Sequence, residues 1–170
     1  MRQNVSGRES EPFCLFILEK VMYRKYENDG DVLKLVAAFE DATIARGVWK
    51  HAEHLVVALY YSDKYKNVES ATAKMKDGLF NLLTEGFKVD LTKEMPYHET
   101  LTVFWVRTVD EFAGSTNGSP LHEKANSLVE KFDKDYPLKF YSREFLFSDE
   151  ARARFVEPDL SPIHQLPQSN

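Results

Sequence analysis

Apolar positions recur along most of this chain at intervals of three and four residues, the period of a helix with one buried face. Val32, Leu35, Val36 and Phe39 form the first such stripe, preceded by the turn Asn28-Asp29-Gly30. Asp31 is placed to cap this helix and Gly47 to stop it. The next run is Trp49 to Ser62, WKHAEHLVVALYYS. Its Leu55, Val56, Ala58 and Leu59 cover most of the circumference, so this second helix belongs deep in the fold. Asn67 is placed to cap a third helix with the face Ala71, Met75, Gly78, Leu79 and Leu82, ending at Gly86. Gly78 costs a helix about 1 kcal/mol relative to alanine, and its inward place implies close contact with another helix. In a fourth run, Leu101, Val103, Phe104, Trp105, Val106 and Val109 leave few polar positions, and Pro96 falls in its first turn. Gly114 to Ser119 form a loop, and Ser119-Pro120 starts a fifth helix with Leu121, Ala125, Leu128 and Phe132 on its core face. Pro137 stops it, and Ser142 and Ser148 are placed to cap two short helices, the second running through Glu150 and Phe155.

No strand alternation, hairpin dipeptide or internal repeat competes with this pattern. It predicts an all-α fold, an irregular bundle of about five main helices with short C-terminal helices and an extended tail. Residues 28–157 make the single helical domain. Residues 1–27 make an N-terminal arm, either partly disordered or one loosely attached helix. Residues 158–170, with Pro158, Pro162 and Pro167, make the tail.

Composition narrows the function classes. A chain of 170 residues that is 43% hydrophobic can bury one core without disulfides. Its 27 acidic and 22 basic residues give a net charge of −5, with no Lys/Arg run, which disfavours a nucleic-acid surface. Cys14 is the single cysteine, so a reducing compartment is the simpler expectation. The apolar run from Phe13 to Leu18 is too short for a signal-peptide core or a membrane span. The expectation is a cytoplasmic protein that neither inserts into a membrane nor binds nucleic acid.

Candidate chemistry is confined to two stretches. His51 and His54 lie one helical turn apart, on one face, with Glu53 between them. His98 and Glu99, in Tyr97-His98-Glu99-Thr100, open the fourth helix. If the three histidines converge, they suit a divalent metal (Zn, Fe or Mn) with a carboxylate from Glu40, Glu53 or Glu99 and one position for water. Such an ion would support hydrolysis or oxidation. A metal-free acid–base pair, Glu40 with His51, is a second version, and a bound small molecule a third. The spacing is neither the HExxH of zinc proteases nor the paired ExxH of di-iron bundles. A lone inward histidine is also an ordinary core residue bonded to a carbonyl or carboxylate, and the chain would then be a non-catalytic binding or scaffold domain. Tyr60, Tyr61, Tyr97, Phe104 and Trp105 are core residues, or the walls of a cavity if the histidines surround one. His122 and His164 read as surface residues, and Cys14 has no partner for catalysis nearby in sequence.

The combination Trp49-x-His51-x-x-His54-Leu55, Tyr97-His98-Glu99-Thr100-Leu101-Thr102, Tyr141-Ser142 and Phe155-Val156-Glu157-Pro158-Asp159-Leu160 resembles a family of small, uncharacterised, all-helical proteins. The resemblance covers residues 31–162. It implies a helical fold and no substrate or catalytic residue.

Overall fold

The computed structural model describes residues 25–162. Cys14, His164 and most of the expected N-terminal arm lie outside the described residues. The rest is all-α, with seven α-helices and no strand among the described residues. They are α1 (Asp29–Glu40), α2 (His51–Tyr65), α3 (Val68–Asn81), α4 (Glu99–Ser115), α5 (Leu121–Lys131), α6 (Arg143–Leu146) and α7 (Asp149–Ala153). A π turn, Leu82–Gly86, extends α3, and a 3-10 turn, Tyr136–Lys139, precedes α6. None of these helices is long and apolar enough to cross a membrane.

Helix α2 is the axis of the packing, as its apolar circumference requires. It contacts α1, α3, α4 and α5, and Leu55, Val56, Val57 and Leu59 are wholly inaccessible. Helix α4 runs between two cores. Val106, Val109, Phe112 and Ala113 join the main core with α2 and α5. Phe104 enters a second core with Phe140, Tyr141, Leu146, Ala151 and Val156. The tyrosine hydroxyl that this second core buries is satisfied: Tyr141 donates to the Val156 carbonyl at 2.9 Å. The start of the tail lies on the body. The Leu160 amide donates to the Phe140 carbonyl at 2.9 Å, and Ser142 donates through its amide and hydroxyl to Asp159 at 2.8 and 2.6 Å.

Gly78 is where α3 meets α1. A methyl group there would occupy the space of the Phe39 ring, so glycine allows the ring to lie on the helix backbone. Asn67, Ser142 and Ser148 cap their helices as expected, each accepting a backbone amide two or three residues into the helix.

Several boundaries differ from the pattern-based expectation. Asp29 and Gly30 lie inside the first turn of α1, and Asp31 reaches back to accept the Glu27 amide at 3.1 Å. Helix α1 ends at Glu40, before Gly47, and the chain reverses at Ala42 with φ 55°. This early exit returns Ile44 and Trp49 to the core. Pro96 lies outside α4, because His98 is the residue that caps it. Pro120, not Ser119, occupies the cap position of α5. That helix ends at Lys131, and Pro137 sits in the 3-10 turn that follows. Helix α7 ends at Ala153, short of Phe155.

Candidate functional site

A cleft of about 560 Å³ opens between α2, α3, α4 and the irregular chain on either side of them. His51, His54 and His98 all line it, so the three histidines singled out by spacing do share one cavity. Its floor is apolar: Ala58 from α2, Met75 and Leu79 from α3, Leu101 and Val106 from α4. Both tryptophans of the chain, Trp49 and Trp105, stand in its walls, with Tyr97 and Phe87. Exposed charges sit at the rim: Arg46, Glu94, Lys134 and Asp135.

Each imidazole is oriented by a backbone carbonyl. His51, the first residue of α2, points Nε2 at the Phe132 carbonyl, 3.0 Å away, while its ring lies 4.7 Å from that of Trp105. His54 directs Nδ1 to the Lys50 carbonyl at 2.8 Å, and its ring centroid is 4.1 Å from that of Trp49. A ring nitrogen facing a carbonyl must carry the proton, so in the neutral ring the opposite nitrogen is an acceptor. That leaves Nδ1 of His51 and Nε2 of His54 without a protein partner among the described residues.

His98 is different. Its Nδ1 accepts the Leu101 amide at 3.3 Å, capping α4, and its Nε2 donates to the Leu146 carbonyl at 2.9 Å. Both nitrogens are committed, and together they fix one neutral tautomer. The ring forms a wall of the cleft but has no lone pair left for a ligand.

Electrostatics favour the uncharged form of His54 and His98. Burial pushes the His54 pKa down to about 4, helped by the neighbouring His51 and opposed by the Lys50 carbonyl and Glu53. Burial also lowers the pKa of His98, with Arg152 acting in the same direction and the Leu146 carbonyl against it. His54 therefore enters the cleft at neutral pH as an acceptor.

The expected carboxylates are engaged elsewhere. Glu99 pairs with Lys76 at 2.7 Å and accepts the Tyr97 hydroxyl at 2.9 Å. Glu40 is exposed and accepts the Tyr61 hydroxyl at 3.2 Å, so it is not paired with His51. Glu53 is buried, accepts the Lys50 amide at 3.0 Å and pairs with Lys25. None of the three lines the cleft. Among the described residues, no group of three or more His, Cys, Asp or Glu is placed to hold a metal ion. The cleft is thus histidine and aromatic in character, without the glutamate the sequence pattern associated with it.

Of the aromatics expected as walls, Tyr97 and Trp105 are walls. Tyr61 is in the main core beside Tyr60 and Phe39, and Phe104 is in the second core. The sequence pattern missed Arg46, Phe87, Leu138, Leu146 and Phe147, all cleft residues in loops, a 3-10 turn or the four-residue α6, where no periodicity marks a face. It also missed two side-chain ties. His122 meets Asp29 at 2.6 Å, and the buried Lys124 meets Asp63 at 3.0 Å. Comparison with protein-family models, with curated proteins and with solved structures gave no match to this chain.

Proposed function

We propose that this protein binds a small, largely apolar molecule in the cleft between α2, α3 and α4. The observation that carries the reading is the combination of one apolar cavity with two imidazoles that line it, each fixed by a backbone carbonyl through one nitrogen and left unpartnered at the other. The volume, about 560 Å³, lies in the range of small-molecule sites, which are mostly apolar with a few placed polar groups. Carbonyl-bonded rings do not need to reorganise before they accept a hydrogen bond, which lowers the entropic cost of binding. This supports a ligand site more than a divalent metal, for which His98 has no lone pair and no carboxylate is at hand.

The test is a screen of uncharged, fragment-sized compounds by saturation-transfer NMR on the wild type and on Thr102→Trp. Thr102 lines the cleft from α4, and tryptophan there fills the space. Hits that lose their signal in the folded variant support the reading. Hits that bind the variant equally, or a screen without hits, contradict it.

A further inference from the structure

Three features of the cleft constrain what can occupy it. The first is an aromatic wall. Trp49 lies against the His54 ring at 4.1 Å between centroids, and Trp105 lies against the His51 ring at 4.7 Å. Trp49 is itself stacked on the buried Phe39 at 4.9 Å and 16°, so its plane is fixed from behind. Phe87 and Tyr97 add further faces, Tyr97 being held against Phe80 at 4.8 Å. Aromatic walls favour an occupant that is itself a ring, since edge-to-face and offset contacts between rings add to the area buried.

The second is hydrogen-bond polarity. The two imidazole nitrogens not bonded to a carbonyl, Nδ1 of His51 and Nε2 of His54, are acceptors in the neutral rings. A ligand group that meets them must donate. A carboxylate cannot, and entering an apolar cleft would also cost it its hydration.

The third is the position of the cations. Arg46 and Lys134 are exposed at the rim. The Arg46 guanidinium donates to the Phe87 carbonyl at 3.3 Å and lies 5.3 Å from the centre of the Phe87 ring. Lys134 is followed directly by the exposed Asp135, also on the rim. Solvated charges with these neighbours attract an anion weakly.

We propose that the cleft selects a planar aromatic molecule carrying an uncharged hydrogen-bond donor, a phenolic hydroxyl or a ring N–H, and discriminates against the corresponding carboxylate. This rests on the small-molecule reading above and names the ligand class within it. The donor meets His54 Nε2 or His51 Nδ1, and the ring packs against the aromatic wall that Trp49, Trp105, Phe87 and Tyr97 line.

The experiment is equilibrium dialysis of the full chain at pH 7 against naphthalene, 2-naphthol and 2-naphthoate, repeated with His51→Phe and His54→Phe. The expected order is 2-naphthol tightest, naphthalene about five- to tenfold weaker, and 2-naphthoate weaker than 2-naphthol by at least that factor. In at least one phenylalanine variant the preference for naphthol over naphthalene falls towards one, while naphthalene still binds and so shows the cleft intact. The wild-type order stands as a test even where a variant does not fold. Naphthoate binding as tightly as naphthol would overturn the proposal, because the rim cations would then decide selection. So would a naphthol preference that survives both substitutions. Naphthalene bound without any naphthol preference overturns the ligand class alone. None of the three bound overturns the class and the small-molecule reading together.

Discussion

His98 joins two parts of the chain that are far apart in sequence: its Nε2 donates to the Leu146 carbonyl at 2.9 Å while its Nδ1 caps α4. One ring thus ties the start of α4 to the end of α6, across one wall of the cleft. His98→Ala removes a helix cap, worth about 1 kcal/mol, and strands a buried carbonyl, worth about 1–3 kcal/mol. Urea unfolding should show a loss of about 2–4 kcal/mol. His98→Asn restores the cap but not the Leu146 bond, and should recover about 1 kcal/mol of it. Equal losses in the two variants would show that the cap contributes nothing.

Gly78→Ala tests the contact of α3 with Phe39. In an open helix this change gains about 1 kcal/mol. Here the added methyl meets the Phe39 ring, which is 0% exposed and stacked on Trp49. A net destabilisation of about 1–3 kcal/mol is expected from overpacking. A stabilised variant in a thermal melt would mean that the ring moves aside freely.

The Lys124–Asp63 pair should respond asymmetrically. The Lys124 side chain is 5% exposed and the Asp63 side chain 24%. Asp63→Asn leaves a buried ammonium without its counter-charge and should cost about 2–3 kcal/mol. Lys124→Met keeps the aliphatic stem, leaves Asp63 its second partner Lys66 at 2.7 Å, and should cost under about 1 kcal/mol. Chemical denaturation of both variants gives the comparison, and equal costs would count against the burial argument.

Stability should fall as the medium is acidified through the histidine range. His54 titrates near 4 in the fold against 6.5 when free. As pH drops below about 6.5 the unfolded chain takes up a proton that the folded chain refuses until about 4. Its effect is absent above that window, grows through it and is complete below it. The loss is on the order of 2 kcal/mol after allowance for partial exposure. The His98 shift has the same direction. His54→Phe should flatten the slope between pH 6.5 and 4, measured by urea unfolding across that range. An unchanged slope would show that His54 protonates freely in the fold.

The helices were legible in the sequence because their apolar stripes are regular. Val32, Val36 and Phe39, or Ala125 and Leu128, are buried as their spacing requires. Boundaries were less legible where a side chain outweighed backbone punctuation. His98 caps α4 in place of an earlier start at Pro96, and Ala42 accepts a left-handed turn ahead of Gly47. The histidine half of the site was legible because His51 and His54 share one face of α2 and His98 stands at the cap of α4, beside the same cleft. The carboxylate half was not. Spacing marks Glu99 and Glu40 as near the site in sequence, but it cannot show that Lys76 and Tyr61 reach them first. The far wall, from Phe87 and from Leu138 to Phe147, is built by loops, a 3-10 turn and the four-residue α6, whose positions depend on tertiary packing.

The most direct test of the cleft uses its two tryptophans. Trp49 and Trp105 are the only ones in the chain and both line the cavity, so each indole N–H signal in a proton–nitrogen NMR spectrum reports on the site. Titration with 2-naphthol should move both signals along one saturable curve, at one ligand per chain, with the Thr102→Trp variant failing to respond at those two signals. Saturable binding that leaves both indoles unmoved would place the ligand elsewhere and contradict the account.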